Sequence, residues 1–503
     1  MTPFRLALLL FLFSSGLQAE DLKVADIFSD HMVLQQGQAI PVWGTAAPGA
    51  TVKVTFNGQT VGGSAGDDGR WRIDLAAESA TSESRNFVVV SGENITVFEG
   101  VLVGEVWYAS GQSNMGMTMK SCAGKLDEAK TLLEEADLPQ IRYRAVREKE
   151  NFERQDQIGD DKSWVVTTPE TAASYSAVAF LFARRLHLEL EIPIGIIESA
   201  WGGHPIEPFI PRSAFTGSSV LEELGKLSDA RDFAGLKKLV GGVWARNDSW
   251  LCETIYNSRV APVVPFAIRG AIWYQAESNA GKGEDPRFYS EKMQALIRGW
   301  RDAWGQQLPV YWVQLPQYSS PGWVSMRDEQ RRALTEPKTG MAVTIDLALD
   351  EIHPANKIDV AERLALWPLA REYGRELAPG GPTFQSIAVK GSEIVVRFEA
   401  FGSELATGRK VDLAPTKILE GRDVHGFEIT GANGIWKPAA ARIEDDAVFC
   451  TSPEIDTPVA IRYGWAPTMP AAKPWNLYNR AGLPASPFIS HPELAPYEPE
   501  VVE

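Results

Sequence analysis

The chain has 503 residues, of which 44% are hydrophobic and 23% are charged, and its formal net charge at pH 7 is -16. This length exceeds one ordinary hydrophobic core, and the composition is that of a folded protein, which excludes a mainly disordered chain. The negative charge repels phosphate groups and therefore argues against nucleic acid or an anionic membrane surface as the main partner.

The N-terminus has the order of features that is typical of a signal peptide. Arg5 is followed by an apolar run from Leu6 to Phe13 and then by small residues ending at Ala19. We expect residues 1–19 to be removed and the protein to be exported, either to the periplasm or as a secreted protein. We expect no membrane anchor, because no later stretch reaches the roughly 18 apolar residues of a spanning helix. The three cysteines are widely spaced, which predicts buried thiols and no metal site, with one disulfide bridge as the alternative for a pair of them.

Three kinds of pattern follow along the chain. Residues 20–99 alternate short apolar runs with turn residues, which predicts a β-sandwich-like domain. In residues 100–378, strands alternate with amphipathic helices, which predicts an α/β domain with a mostly parallel sheet and helices on both faces. Residues 211–258 interrupt this alternation and predict a helical insertion near the site. Strand patterns return in residues 379–503, which predicts a second β domain with a Pro-rich tail.

The first candidate for chemistry is Ser113. A buried strand over residues 104–109 leads through a glycine-containing turn to this serine, and ligands of such sheets bind beyond the C-terminal ends of the strands. A hydroxyl there is a candidate nucleophile, provided that a base takes its proton. Ser and Asn also begin helices, so the motif by itself fits a helix N-cap equally well.

The second candidate is His353, which follows another predicted strand. Asp350 lies three residues before it and has the spacing to orient the imidazole, although Glu351 and Asp346 are near enough to compete. A serine and a histidine at two strand ends favour a nucleophile and its base over an isolated surface histidine.

Polar groups at two further strand ends are candidate donors to an oxyanion. They are the side-chain amides of Gln275 or Asn279 and the backbone of residues 201–203. Four such strand ends in one sheet together indicate an acyl-transfer site.

Several segments resemble the sialate O-acetylesterase family of SGNH hydrolases. The matching segments are Gly111–Met115, Trp201–Gly203, Trp273–Asn279, Arg327–Gln330, Ile352–Lys357 and Asn476–Asn479. The resemblance extends over essentially the whole mature chain, including both predicted β domains. It implies an SGNH-hydrolase-like fold and a serine carboxylesterase that deacetylates sugars without a metal or an organic cofactor.

The resemblance also implies roles for individual residues. Ser113 is the expected nucleophile and His353 the expected general base, with Asp350 at the spacing of the superfamily's Asp-x-x-His block. The oxyanion hole is expected to consist of the Ser113 amide, Gly203 and the side-chain amide of Gln275 or Asn279.

The expected substrate contacts come from residues near the same strand ends. We assign Gln112, Trp201, Glu277 and Arg327 to substrate binding, with Trp201 suited to packing on a sugar ring. Arg327 is a candidate for a sugar carboxylate, and a structural salt bridge fits it about as well.

Two positions depart from the family pattern. Ala276 stands where glycine is usual, so the backbone beside the oxyanion hole is in question. His204 stands where threonine is usual, and we expect it to replace a structural hydroxyl.

The expected substrate is an O-acetylated sugar, with sialic acid first and xylan or another plant glycan as the alternative. Two other classes of protein also fit parts of the sequence. A glycoside hydrolase would pair Glu277 with a second carboxylate at Asp346, Asp350 or Glu351. A non-catalytic carbohydrate-binding protein would use the two β domains and their exposed aromatic residues.

Overall fold

The computed structural model describes residues 22–160, 162–241, 248–280, 284–320, 322–347 and 350–494. The predicted signal peptide and the end of the Pro-rich tail lie outside these ranges. Within them, no helix combines the length and the apolar character needed to cross a membrane. Cys122 and Cys450 are buried free thiols, and Cys252 is a partly buried free thiol.

The N-terminal strands are short and mostly alternate buried with exposed side chains. They are β1 (Lys23–Val24), β2 (Val33–Gln35), β3 (Ile40–Thr45), β4 (Thr51–Phe56), β5 (Gln59–Ser64), β6 (Arg70–Leu75) and β7 (Thr81–Ser91). In β6, Trp71, Ile73 and Leu75 are buried and their neighbours are exposed, as expected of a strand with one face on a core. Strands β1, β3 and β6 form one sheet, whereas β2, β4, β5 and β7 belong to a second, larger sheet.

One long strand, β8 (Asn94–Gly111), belongs to both the N-terminal and the central parts of the protein. Its first half pairs antiparallel with β7, and its second half pairs parallel with two central strands. Burial becomes continuous from Val101 onwards. The boundary predicted between residues 99 and 100 therefore falls inside this strand, and the large sheet is mixed.

The central strands continue this sheet. They are β9 (Leu138–Ala145), β10 (Val165–Thr167), β11 (Ile194–Ala200), β12 (Gly270–Tyr274), β13 (Val310–Val313) and β14 (Thr339–Ala342). Their order is β10-β9-β11-β8-β12-β13-β14, and all neighbours are parallel except β10 and β9. The chain crosses to β11 on one side of β8 and to β12 on the other, so a crevice is expected at the C-terminal end of β8.

Helices cover both faces of this sheet. They are α1 (Ser113–Gly116), α2 (Met119–Ala123), α3 (Asp127–Glu134), α4 (Pro169–Ala172), α5 (Ala177–Leu190), α6 (Ser219–Asp229), α7 (Phe233–Val240), α8 (Glu277–Ala280), α9 (Tyr289–Trp304), α10 (Trp323–Arg332) and α11 (Lys357–Arg371). Trp107 packs in the core that contains α5 and α11, whereas the next residue, Tyr108, packs in the core that contains α9. Successive residues of a strand point to opposite faces, so β8 contributes to both cores.

Short helices also occur in the described parts of residues 211–258, where the sequence predicts an insertion. This segment contains α6 and α7, a single 3-10 turn at Arg212–Ala214 and another at Asp248–Trp250.

The C-terminal strands form three antiparallel sheets that lie against the central part. The strands are β15 (Thr383–Lys390), β16 (Glu393–Glu399), β17 (Leu405–Val411), β18 (Ala414–Leu419), β19 (Asp423–Val424), β20 (Phe427–Thr430), β21 (Trp436–Pro438), β22 (Ala440–Glu444), β23 (Ala447–Thr451), β24 (Ala460–Tyr463), β25 (Leu477–Asn479) and β26 (Phe488–Ile489). Gln314, just after β13, donates to the Ser486 hydroxyl at 2.8 Å, and the Tyr478 hydroxyl donates to Asp346 at 3.1 Å. These buried contacts fix the C-terminal strands to the sheet that carries the crevice.

Candidate active site

The candidate nucleophile lies in a tight turn at the end of β8. Gly111 ends the strand with a φ of 139°, and a Cβ there would lie 2.1 Å from the carbonyl oxygen of Tyr274. Only glycine fits this close approach of two strands. Gln112 donates its backbone N–H to the same carbonyl at 3.0 Å, and Ser113 then begins α1 with a half-buried side chain.

The structure brings His353 to Ser113. Nε2 of His353 lies 2.7 Å from Oγ of Ser113, within hydrogen-bonding distance. Burial lowers the pKa of His353, the positive charges of Lys357 and Lys125 lower it further, and Glu351 opposes them. The imidazole is therefore neutral near pH 7 and able to accept the proton of the serine hydroxyl.

Asn114 connects the nucleophile turn to the histidine loop. Its Nδ2 donates to the backbone oxygen of Ile352 at 2.7 Å and to Oε1 of Glu277, and its Oδ1 accepts from Nζ of Lys357. Ile352 directly precedes His353, so this one amide relates the positions of the serine and the histidine. Asn114 was not among the residues predicted for the site, and its only sequence signal is its place directly after Ser113.

Two ionisable side chains are buried beneath this turn. Lys357 is fully buried at the start of α11, and burial lowers its pKa to about 8. Burial raises the pKa of Glu277, which the hydrogen bond from Asn114 opposes. The side chain of Glu277 is 5% exposed and contacts the turn from inside the protein. A catalytic carboxylate of a glycoside hydrolase has to face the substrate, so this position argues against that role for Glu277.

The sequence predicts three candidate carboxylate partners for His353. In the described ranges, none of them forms a hydrogen bond to it. Asp350, whose φ is 50°, instead accepts from the backbone N–H of Ser319 at 2.6 Å. Glu351 and Asp346 form ion pairs with a lysine and an arginine. Within the same ranges, no group of three or more His, Cys, Asp or Glu side chains is arranged to hold a metal ion.

The amide of Gln275 is fully buried and occupied by other protein groups. Its Nε2 lies within hydrogen-bonding distance of Oε1 of Gln112 at 3.1 Å, the backbone oxygen of His204 at 3.3 Å and Oδ1 of Asn279 at 2.8 Å. Its Oε1 accepts from the Tyr289 hydroxyl at 2.8 Å. An amide has only two hydrogens to donate, so this bonding favours a positioning role over direct donation to an oxyanion.

Asn279 is held in the same way by a buried cluster of charges. Its Nδ2 donates to Glu207 at 3.1 Å and to Glu284 at 2.9 Å. Lys292 lies between these two carboxylates, at 2.6 Å from Glu207 and 2.7 Å from Glu284. Both hydrogens of the Asn279 amide are therefore directed at protein acceptors.

The Gly202–Gly203 turn lies directly against the nucleophile. A Cβ on Gly202 would lie 3.5 Å from Cβ of Ser113, an ordinary van der Waals distance, so the turn adjoins the serine. Gly203 is exposed with a φ of 74°, and its backbone N–H has no hydrogen-bond acceptor in the described part of the chain. Nδ1 of His204 lies 3.0 Å from the carbonyl oxygen of Gly202 and fixes the turn.

Trp201 forms a half-buried wall next to this turn. The guanidinium of Arg259 lies 4.1 Å from the centre of its ring, and the ring of His204 lies 4.5 Å away. Nε2 of His204 lies 2.8 Å from the Ser249 hydroxyl, and burial lowers the pKa of His204. Both ring nitrogens of His204 are therefore within hydrogen-bonding distance of protein groups, which favours a structural role for this side chain.

Arg327 lies inside the protein, where no sugar carboxylate reaches it. The side chain is fully buried, and Nη2 donates to the backbone oxygens of Ala466 and Pro467. Its Nε and Nη1 have no partner among the described residues, and burial lowers its pKa. Arg327 therefore stabilises a loop of the C-terminal strands. This role differs from both roles predicted from the sequence, a contact to a sugar carboxylate and a salt bridge.

A sequence-family model and two curated relatives match this chain. The model for carbohydrate esterases described as sialic acid-specific acetylesterases matches residues 103–365. The sialate O-acetylesterase of Rattus norvegicus is 28% identical over 537 aligned positions, which cover 93% of this chain and 94% of the relative. The sialate O-acetylesterase of Homo sapiens is 28% identical over 527 positions, which cover 93% of this chain and 92% of the relative.

A solved structure is similar over nearly the same length. The crystal structure of a carbohydrate acetylesterase from Xanthomonas citri superimposes with a TM-score of 0.79 and 31% sequence identity. The match covers 93% of this chain and 99% of that protein, so it includes strands on both sides of the central part.

Proposed function

Because this chain belongs to the family of carbohydrate esterases described as sialic acid-specific acetylesterases, we propose that Ser113 and His353 carry out its reaction. The protein is a carboxylic ester hydrolase that removes O-acetyl groups from sugars. The observation that carries the assignment of the two residues is the 2.7 Å distance between Oγ of Ser113 and Nε2 of His353.

The proposed reaction has two acyl-transfer steps. His353 takes the proton of Ser113 while Oγ attacks the acetyl carbonyl carbon, and it gives the proton to the departing sugar oxygen. Water then attacks the acetyl-serine with His353 again as the base. The step releases acetate and returns the proton to Ser113.

The proposed oxyanion hole consists of the backbone N–H groups of Ser113 and Gly203. The support is that Gly203 belongs to the turn against the serine and that its N–H has no acceptor among the described residues. We now assign Gln275 and Asn279 to the support of this turn and of Gln112, because their amide hydrogens already donate to protein acceptors.

The proposed orientation of His353 depends on two contacts of its loop. Asn114 binds the carbonyl of Ile352, and Asp350 binds the backbone of Ser319. Asp350 then acts by fixing the loop, which differs from the direct contact with the imidazole that its spacing suggests.

We propose O-acetylated sialic acid as the substrate. The description of the family and the names of the two relatives support it, and the acidic sugar would meet Trp201 at the rim.

We also propose that residues 1–19 are removed on export. N-terminal sequencing of the exported protein would then show a start at Glu20.

The test compares acetate release by the wild type and by Ser113→Ala. The substrates are 4-nitrophenyl acetate, O-acetylated sialic acid and acetylated xylan. We expect Ser113→Ala to lower kcat at least about a thousandfold, whereas Ser121→Ala, a serine exposed on α2, retains full activity.

Each substrate decides a different part of the proposal. Release from xylan but not from sialic acid would replace the proposed sugar and keep the mechanism. Undiminished release by Ser113→Ala would refute the serine mechanism.

A further inference from the structure

A cavity of about 710 Å³ lies on the C-terminal strands, away from the residues assigned to catalysis. Its wall includes Trp465, Trp475, His425 and Lys473, and its floor includes the turn at Gly426. This volume falls within the range of small-molecule sites in proteins, about 300–1,000 Å³.

Trp465 has the properties of a binding platform. It is half-buried, it does not pack against either hydrophobic core, and its ring has no aromatic or cationic partner among the described residues. Trp475, by contrast, is packed: a Cβ on Gly426 would lie 2.3 Å from its ring. An indole that supports no core is suited to stacking against the apolar face of a sugar ring.

Polar groups surround this indole. Lys473 is exposed and has no carboxylate within ion-pair distance in the described ranges, and Nδ1 of His425 is buried without a partner there. Arg462 and Glu428 form an ion pair at 2.8 Å on the same wall. An apolar platform with a few convergent polar groups fits a hydroxylated ring better than an apolar ligand.

Residues 318–319 contact both the Trp465 loop and the loop of His353. Pro467 accepts from the backbone N–H of Tyr318 at 3.3 Å, which places the Trp465 loop against the segment that follows β13. The next residue, Ser319, donates to Asp350 at 2.6 Å, three residues before His353. Arg327 fixes the same loop from below through Pro467.

We propose that this cavity binds a sugar ring that is covalently linked to the acetylated one. The enzyme then prefers acetylated oligosaccharides to single acetylated sugars. This inference rests on the proposed function and specifies the size of its substrate. Two observations carry it: the indole of Trp465 stacks on no ring among the described residues, and its loop and the loop of His353 both contact residues 318–319.

The kinetic test uses two acetylated oligosaccharides, O-acetylated sialyllactose and acetylated xylotetraose, with their single acetylated sugars and 4-nitrophenyl acetate. We expect the wild type to have a higher kcat/KM for at least one oligosaccharide than for its single sugar. The quantity compared between variants is a ratio, kcat/KM for that oligosaccharide divided by kcat/KM for 4-nitrophenyl acetate. We expect Trp465→Ala to lower this ratio by about tenfold, because the KM for the oligosaccharide rises.

Two variants control for structural damage. Trp465→Phe keeps an aromatic ring and should restore most of the ratio. Trp43→Ala removes a half-buried tryptophan from β3, far along the chain from this cavity, and should leave the ratio as in the wild type. The proposal would be overturned if the ratio for Trp465→Ala stayed within twofold of the wild-type value for both oligosaccharides.

A binding measurement separates this proposal from the proposed function. Sialyllactose and xylotetraose without acetyl groups are titrated calorimetrically into Ser113→Ala and into the same variant with Trp465→Ala. We expect about tenfold weaker binding of one of them after loss of the indole. This binding can be measured even if the protein hydrolyses none of the esters. Equal affinities in the two variants would refute the subsite.

Discussion

At the scale of single residues, the buried amine of Lys357 is the least expected part of the site. It forms no ion pair in the described ranges, and its hydrogen bond to Asn114 joins positions 243 residues apart in the chain. A buried cation without a contacting carboxylate is costly. Its charge has a use here, because it adds to the effect of burial in lowering the pKa of His353 and so helps to keep the base neutral.

Replacing Lys357 by methionine tests this role. The variant loses the positive charge that lowers the pKa of His353, so that pKa rises and the imidazole is protonated over a wider range of acidic pH. We expect the acid limb of the kcat/KM profile to move to higher pH by about half a unit, with kcat about tenfold lower because Asn114 loses a donor. The measurement is kcat/KM for 4-nitrophenyl acetate between pH 4 and 9.

Lys125→Met is the matched control for this prediction. Lys125 also lowers the pKa of His353, but its side chain is 51% exposed, so solvent screens its charge. A smaller displacement of the acid limb is expected. Coincident profiles for the wild type and Lys357→Met would contradict the assignment.

Residues of the site differ in how far the sequence alone could predict them. Ser113 and His353 were predictable because each follows a strand whose C-terminal end faces the same crevice. The surroundings of Gln275 and Arg327 were not, because the direction of a polar side chain depends on acceptors that are remote in sequence. Ala276 has a φ of 145°, a strained conformation for a residue with a side chain, and the sequence alone could not show this backbone.

At the scale of elements, the end of β8 depends on one glycine. Strands β8 and β12 pair in parallel up to Gly111 and Tyr274, and a side chain at Gly111 would collide with the Tyr274 carbonyl. The separation of these two strand ends determines where the nucleophile turn begins.

Gly111→Ala is therefore expected to inactivate the enzyme. A Cβ 2.1 Å from a carbonyl oxygen forces β8 and β12 apart and displaces Ser113 from His353. We expect kcat to fall more than about a hundredfold and the free energy of unfolding to fall by about 3 kcal/mol, measured by steady-state kinetics and urea denaturation.

Gly116→Ala provides the comparison within the same turn. A Cβ there would lie 3.6 Å from Cβ of Ala200, an ordinary contact, and we expect near-normal activity. Equal activities of the two alanine variants would show that the close approach at Gly111 does not control the site.

Strand and helix bounds were predictable where the hydrophobic pattern is long. The sequence pattern predicts a helix from about residue 357 to residue 373, and the structure has α11 (Lys357–Arg371) there. It predicts a strand at residues 192–199, and the structure has β11 (Ile194–Ala200) there. The pattern also predicts a strand at residues 340–346, but the strand ends at Ala342 and the chain forms a turn at residues 345–346. Apolar residues in such a turn continue the pattern of a strand without its pairing.

At the scale of the whole molecule, a strand or hydrogen bonds cross each of the predicted domain borders. The border at residue 99 falls within β8, and the border at residue 378 separates the central sheet from strands that hydrogen-bond to it. The sequence shows a change of pattern at both points. Such a change does not reveal whether one strand continues through it.

A fragment of residues 100–378 is accordingly expected not to fold cooperatively. It lacks β2 and β7, which pair with β8, and it lacks the Ser486 and Tyr478 partners of the central part. We expect a broad thermal transition by circular dichroism and no hydrolysis of 4-nitrophenyl acetate, whereas a chain of residues 20–503 melts sharply. An active fragment with a sharp transition would refute this interdependence.

The alternation of side chains along β8 limits how this protein can change in evolution. Trp107 lies in one core and Tyr108 in the other, and Ser113 follows a few residues later. One inserted residue between Val101 and Gly111 would exchange the two faces and advance the serine by about 3.3 Å. We therefore expect insertions to be tolerated in the loops, whereas an insertion within this strand would disturb the two cores and the reaction together.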